Sequence, residues 1–368
     1  MKHNYYNQAF QTLDHFSLKR LLTDNAGQVD PEMAHRLKCL KRASLVNTLT
    51  KPWDEIFFGR KIASAKLAGD PLFVLGHWRS GTTLVHNFLA RDPRFTYPNM
   101  VHVFTPFSFL TLGRFTAALL DRLLPETRIV DQVRLGSQEP QEDEFAIAIM
   151  CGLSPYLEMM FPRRRDFYAR YFRLKDISDS ELSLWKETFM TFLKKITLQD
   201  PRPVVLKSPS HTARLSLLRT MFPEARFIHI VRNPYDVYRS MWKLYDNYIS
   251  VQHLQKVSRE TVRKNMLENY RELFSAFEED RKNVPENRLA LVKYEKLVQD
   301  PLAEFRRIYR QLELGEEEDV FAGLSGYLES IKGYRPNPKT PLTTGDIRLV
   351  NTYCRQVFDT YGYEMEQG

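Results

Sequence analysis

Nine consecutive residues, Gly76-His77-Trp78-Arg79-Ser80-Gly81-Thr82-Thr83-Leu84, constrain this chain more than any other feature. They follow the short apolar run PLFVLG at 71–76, which reads as a buried strand. They open SGTTLVHNFLARD, where Leu84, Val85, Phe88 and Leu89 share one helical face until Asp92-Pro93 ends the pattern. A strand that turns through glycine into a helix gathers backbone N–H groups and the positive end of a helix dipole at one point, which is an anion site. Gly81 permits close backbone approach. The ATP-binding version of such a loop, GxxxxGK[ST], carries lysine directly after its second glycine. Here Thr82 holds that position and the cation, Arg79, lies inside the loop. That departure argues against an ordinary kinase or NTPase. The competing reading is a plain strand-to-helix turn with Arg79 on the surface.

The remaining pattern alternates strands with helices. Leu182, Trp185, Phe189, Phe192, Leu193 and Ile196 recur at helical spacing and lead into PVVLK at 203–207. A helix is expected over 211–222, strands at ARFIHIV (225–231) and LALVKY (289–294), and Pro223 breaks the chain between the helix and the first of these. Short apolar strands separated by helices imply a parallel sheet covered on both faces, with ligands at the carboxyl ends of the strands. The first seventy residues read as helices, and the stripe Trp53, Ile56 and Phe57 is expected to pack as core on the main domain. Without an internal repeat or low-complexity linker, the division is a helical N-terminal extension over 1–70 and a single α/β domain over 71–368.

Composition narrows the partners. A chain of 368 residues with 43% hydrophobic content can bury a large core. Cys39, Cys151 and Cys354 are far apart with no CxxC pair, so a reducing compartment is the simpler reading. The start lacks the apolar stretch of a signal peptide and no run of about 18 apolar residues occurs, so a soluble, cytoplasmic protein is expected. The net charge of +8 is spread among nearly as many acids instead of forming a basic stripe. Nucleic acid is therefore not the expected partner, and a small polyanion fits better. None of the nine histidines forms an HExxH pair, which agrees with a metal-free site.

Two further segments make the pattern specific. Lys207-Ser208-Pro209 follows the second strand, and Arg232-Asn233-Pro234-Tyr235-Asp236-Val237-Tyr238-Arg239-Ser240 follows the third. The order RSGTT, LKSP, RNPYDVYRS and then VKYEKLVQDP at 292–301 resembles the sulfotransferases that use 3′-phosphoadenosine 5′-phosphosulfate (PAPS), from about Leu72 to Pro301. The resemblance implies an α/β, P-loop NTPase-like parallel sheet flanked by helices, with PAPS as co-substrate and no metal. It implies that Arg79, Ser80, Gly81, Thr82, Thr83 and Leu84 hold the 5′-phosphosulfate, where a loop cation reaches the oxygen bridging phosphorus and sulfur. Arg232 and Ser240 would hold the 3′-phosphate, guanidinium forking two oxygens and hydroxyl donating to a third. Read without the resemblance, Arg232 is an ion-pair residue and Ser240 an ordinary helical serine. Lys207 matches a sulfuryl-binding cation, the alternative being an exposed lysine. Tyr294 and Glu295 match a strand-borne pair that serves packing and a structural hydrogen bond. Arg335 and Lys339 in GYRPNPKT (333–340) are further candidates for the 3′-phosphate.

The acceptor hydroxyl or amine needs a general base. Relatives carry histidine shortly after the lysine, where this chain has Pro209, or glutamate after the first helix, where it reads TYPNMVH. The remaining candidates are His102, the acids Glu142, Asp143 and Glu144, and behind them His211. The competing readings are a core histidine and acids that stabilise a helix N-terminus. The apolar stretches 101–125 and 153–162 are either core helices or a wall favouring a lipid-like alcohol over a sugar. Arg163, Arg164 and Arg165 could hold the protein peripherally against anionic headgroups. The alternatives to a sulfotransferase are a P-loop kinase or NTPase and a nucleotide-binding scaffold without catalysis. The oligomeric state is not fixed by the sequence.

Overall fold

The computed structural model describes residues 9–124, 135–315, 318–331 and 340–367, which fall into two compact units. One unit draws on residues up to 67, 98–201 and 244–265 and is helical. Its main elements are α1 (His15–Asp24), α2 (Ala34–Thr50), α3 (Trp53–Ser64), α5 (Met100–Phe104), α6 (Phe109–Leu123), α7 (Glu144–Cys151), α8 (Arg165–Arg173) and α9 (Asp179–Gln199). The other unit draws on 68–97, 202–243 and 266 onward. It carries the strands β1 (Leu72–Leu75), β2 (Val205–Lys207), β3 (Arg226–Val231) and β4 (Leu289–Lys293). Around them lie α4 (Thr82–Leu89), α10 (Leu215–Met221), α11 (Pro234–Leu244), most of α12 (Arg259–Asp280), α13 (Tyr294–Gln299), α14 (Pro301–Gln311), α15 (Glu318–Ile331), α16 (Thr344–Tyr353) and α17 (Arg355–Tyr361).

The strands pair in parallel in the order β2-β1-β3-β4. Phe73 stands beside Leu206 on one side and Phe227 on the other, and Ile230 stands beside Val292. Alternation along each strand serves two cores. Leu72, Val74, Ile228, Ile230, Ala290 and Val292 enter one with Val85, Phe88 and Leu89 of α4 and Phe305 and Ile308 of α14. On the opposite face Phe73 stacks on Phe227 at 5.4 Å and meets Phe222 at 6.0 Å. A sheet covered on both faces explains why its strands read as unbroken apolar runs. Because the chain places β2 and β3 on opposite sides of β1, the switch point of the sheet lies between β1 and β3, and their carboxyl ends define a ligand crevice.

Three local expectations need correction. The helix expected from 211 begins as a 3-10 turn, Pro209–Arg214, before α10 takes over. β4 ends at Lys293, so Tyr294 and Glu295 sit on the first turn of α13 instead of on a strand. The stripe Trp53, Ile56 and Phe57 is not core: these side chains are 38%, 69% and 66% exposed. The buried face of α3 presents Asp54 and Ile62. Asp54 pairs with the buried Lys195 of α9 at 2.9 Å and accepts hydrogen bonds from the N–H groups of Leu110 and Thr111 and from Thr111 Oγ1. Burial pulls the Lys195 pKa down and the facing carboxylate opposes that shift. Breaking such a buried pair typically costs about 3–5 kcal/mol, enough to decide which face of α3 turns inward.

Two histidines of the sheet unit are buried in neutral form. Burial lowers the His229 pKa to about 3 and that of His77 to about 4, and the His229 ring lies 3.7 Å from that of Phe277. Both values fall below the ordinary value near 6.5, so between these limits the unfolded chain binds protons that the folded chain refuses. Their contribution to stability is full above pH ~6.5 and is lost as the pH falls towards 4, by up to about 1.4 kcal/mol per unit for each histidine. Urea unfolding measured between pH 7.5 and 5 is expected to show this loss, and His229→Leu to flatten the slope by roughly one proton. An unchanged slope would contradict the burial of a neutral ring.

Candidate active site at the carboxyl edge of the sheet

The loop leaving β1 reaches α4 through three residues in left-handed backbone: Gly76 (φ 139°), Arg79 (φ 69°) and Gly81 (φ 108°). Space as well as conformation demands the two glycines. A Cβ on Gly76 would lie 2.5 Å from the carbonyl oxygen of Ile230, and one on Gly81 would lie 2.5 Å from the ring of Tyr294. Hydrogen bonds hold the path between them. Gly76 N–H donates to Thr212 Oγ1 at 2.8 Å, and both Ser80 N–H (3.2 Å) and Ser80 Oγ (2.8 Å) donate to the carbonyl of His77. Arginine rarely adopts positive φ, so the strain at Arg79 is maintained by its surroundings. One of these is Arg232, whose Nη1 donates to the Arg79 carbonyl at 3.3 Å.

Side chains from distant motifs converge here. Arg79 Nε donates to Ser240 Oγ of α11 at 2.8 Å, and the Arg232 guanidinium lies 4.3 Å from the ring centre of Tyr294. Glu295 Oε1 accepts the N–H of Asn233 at 3.0 Å while its other oxygen accepts from Tyr363 at 2.8 Å, tethering the turn that carries Arg232. Thus Tyr294 and Glu295 do serve packing and a structural hydrogen bond. The register places Lys207 beside Val74, two residues before the loop, and Lys207 is buried, not exposed as its competing reading required. Ser80 and Thr82 are buried, and as first-turn residues of α4 Thr82 and Thr83 have no intrahelical acceptor for their N–H groups. Leu84 differs: its N–H donates to Gly81 O and its side chain packs on the apolar core. Arg335 and Lys339 lie outside the described residues.

A model of the sulfotransferase family matches residues 71–318. The chain belongs to the sulfotransferase family. This sulfotransferase is 34% identical to the omega-hydroxy-beta-dihydromenaquinone-9 sulfotransferase Stf3 of Mycobacterium tuberculosis over 345 residues, 94% of this chain and 88% of that protein. Its fold is similar to that of sulfotransferase STF9 from Mycobacterium avium, with a TM-score of 0.71 at 20% identity over 97% of this chain and 94% of that one. Sulfotransferase STF1 from Mycobacterium tuberculosis gives 0.68 at 18% identity over 95% and 93%. The P-loop NTPase-like α/β fold is shared with these proteins, and the kinase or NTPase alternative is not favoured.

No separate sequence signal marks His77, which the sulfotransferase buries inside the loop. Its Nδ1 donates to the Trp78 carbonyl at 2.8 Å and its ring lies 4.6 Å from that of Tyr270, while Nε2 has no hydrogen-bond partner among the described residues. His211 is buried edge-on to Phe73 at 5.5 Å. The other base candidates belong to the helical unit. His102 completes a capping box on α5: Nδ1 accepts from Asn99 N–H at 3.2 Å, which leaves the proton on Nε2, 3.2 Å from Gln199 Oε1. Asp143 and Glu144 are fully buried at the start of α7, Glu144 accepting from Ser154 Oγ at 2.6 Å. Glu142 keeps partial exposure and accepts a short hydrogen bond from Tyr156, whose pKa burial and the Glu142 charge hold well above its usual value. At the surface of the helical unit Arg163 pairs with Asp30 (2.8 Å), Arg164 donates to the Asp24 carbonyl (3.1 Å) and Arg165 pairs with Asp166 (3.3 Å).

The loop geometry generates a paired test. Gly81→Ala is expected to cost about 1–3 kcal/mol in urea unfolding, because it adds strain at positive φ and meets Tyr294. Gly326→Ala, in open space on α15, is expected to add up to about 1 kcal/mol. Equal effects at both positions would contradict the described turn.

Proposed function

We propose that this sulfotransferase transfers a sulfuryl group from PAPS to the hydroxyl of a lipophilic acceptor. The observation that carries the reading is the convergence of Arg79, Ser240, Arg232 and the buried Lys207 on the carboxyl edge of one sheet. The residues fit the nucleotide: the two glycines let the loop backbone turn in left-handed conformation, and the donors are those a diphosphorylated adenosine needs. The loop from Arg79 to Thr83 would hold the 5′-phosphosulfate and Arg232 with Ser240 the 3′-phosphate. PAPS supplies a sulfuryl group on a phosphate leaving group.

The protein's part is positioning and charge stabilisation, as in phosphoryl transfer. Arg79 and Lys207 would neutralise charge that builds on the bridging oxygen and the sulfuryl oxygens. The acceptor oxygen forms the new S–O bond as the old one breaks, and its proton passes to a base. Among the candidates the partners favour Glu142: His102 has both ring nitrogens engaged in structural hydrogen bonds, and Asp143 and Glu144 are sealed from solvent. Tyr156, kept protonated, would orient the Glu142 carboxylate. For the acceptor, the support is the 34% identity to a protein named for a hydroxylated menaquinone derivative.

Incubation with sulfur-labelled PAPS tests the reading. A prenylated quinone bearing a terminal hydroxyl is expected to be labelled and its dehydroxylated form and free sugars are not; preference for sugars would overturn the acceptor assignment. Arg79→Ala and Lys207→Ala are each expected to lower kcat by about a hundredfold or more while changing nucleotide affinity less. Glu142→Gln is expected to lower kcat by about a hundredfold with little change in affinity for adenosine 3′,5′-bisphosphate, whereas an unchanged kcat would exclude Glu142 as the base.

A further inference from the structure

The helical unit carries an apolar surface that its own packing leaves uncovered. Of the 14 large apolar side chains exposed among the described residues, 10 lie on α1, α2, α3 and α6, and the other four are dispersed. Scattered single residues of this kind need no explanation, whereas a concentration on adjoining helices marks an interaction surface. Adjacency is built in: α2 ends at Thr50 and α3 begins at Trp53, and α3 is fastened to the start of α6 by the Asp54 hydrogen bonds to Leu110 and Thr111. The buried Asp54–Lys195 pair turns the polar side of α3 inward, so Ile56 and Phe57 point outward.

Each of these helices mixes the exposed apolar residues with cations on the same side. At helical spacing, Lys38, Lys41 and Arg42 precede Leu45, Val46 and Leu49 along one exposed side of α2, and α2 contains no Asp or Glu. On α3, Arg60 follows Ile56 and Phe57 one turn on; on α6, Arg122 follows Phe115 and Leu119. The acids of α3 and α6 are few: Asp54 is buried against Lys195, Asp121 accepts from Ser137 N–H at 2.7 Å and from its hydroxyl at 2.9 Å, and Glu55 remains.

We propose that this face of α2, α3 and α6 seats the protein on a lipid bilayer that carries anionic headgroups. Aromatic and aliphatic side chains would enter the boundary between headgroups and acyl chains while lysines and arginines pair with headgroup charge. Charge complementarity selects this occupant over a second copy of the chain, because self-association would bring two faces of the same positive sign together. No helix among the described residues is long and apolar enough to cross a membrane, so the contact is peripheral. The proposal deepens the lipophilic-acceptor reading, since a bilayer is where such an alcohol resides. Its test needs neither PAPS nor acceptor, which keeps the two readings separable.

Flotation of the full chain with phosphatidylcholine vesicles, with and without phosphatidylglycerol, measures the docking. Binding is expected with the anionic vesicles. The combined variant Leu49→Glu, Ile56→Glu and Phe57→Glu is expected to bind them at least about tenfold more weakly. Its melting temperature and its affinity for adenosine 3′,5′-bisphosphate should match the parent. A second variant, Lys38→Glu with Arg42→Glu, is expected to lose the preference for anionic lipid. Absence of flotation by the parent, or unchanged binding in both variants, would overturn the proposal. A dimer seen in sedimentation and abolished by the first variant would assign the face to a second copy and overturn it equally.

Discussion

Between β1 and α4 the backbone passes so close to its neighbours that two positions have no room for a side chain, and the functional edge of the sheet depends on that contact. Gly76 lies against the carbonyl of Ile230 in β3, and Gly81 lies against the ring of Tyr294 at the start of α13. The same Tyr294 ring carries the Arg232 guanidinium, which in turn bonds the carbonyl of Arg79, and Arg79 reaches Ser240. A single turn therefore ties together the ends of three strands and the middle of α11. Widening it would move the Arg79 and Arg232 side chains apart at once, which is why backbone geometry matters here as much as the charges.

Preorganisation has a cost that the surroundings offset. Arg79 is held at positive φ and Lys207 is buried at a strand end, arrangements that store strain and desolvated charge. Two cationic groups and the first turn of a helix facing one edge favour a polyanion over water, and they act on charge developing during transfer without having to reorganise. The helical unit shows the same economy of buried polar groups. Its Asp54–Lys195 pair is closed by hydrogen bonds to the start of α6, and Glu142 and Glu144 each find a hydroxyl donor.

Much of the sheet unit was legible in the sequence because its strands are short, apolar and bounded by glycine or proline, and because the loop chemistry is local. The phosphate-type loop, the four strands and the helix after the loop all follow from spacing. Ser240 does not: apart from the family resemblance nothing in PYDVYRSMWKL separates that serine from any helical serine, and in the fold its hydroxyl accepts from Arg79 at 2.8 Å. The α3 stripe shows the converse failure. Periodicity revealed an amphipathic helix, but which face turns inward was set by Asp54 finding Lys195 on α9, a contact between residues far apart in sequence. Glu142, Asp143 and Glu144 read as charges at a helix start; Asp143 and Glu144 do begin α7, and the fold also buries both, which their spacing does not show.

The central claim is that Arg79, Arg232 and Ser240 form a site for a nucleotide phosphorylated at both the 3′ and 5′ positions. Titration calorimetry with adenosine 3′,5′-bisphosphate and with adenosine 5′-phosphate tests it most directly. Charge-assisted hydrogen bonds to the additional phosphate predict a preference for the bisphosphate of about tenfold to a hundredfold, reduced towards parity in Arg232→Ala and narrowed in Ser240→Ala. Equal affinity for the two nucleotides in the unaltered protein would contradict the account.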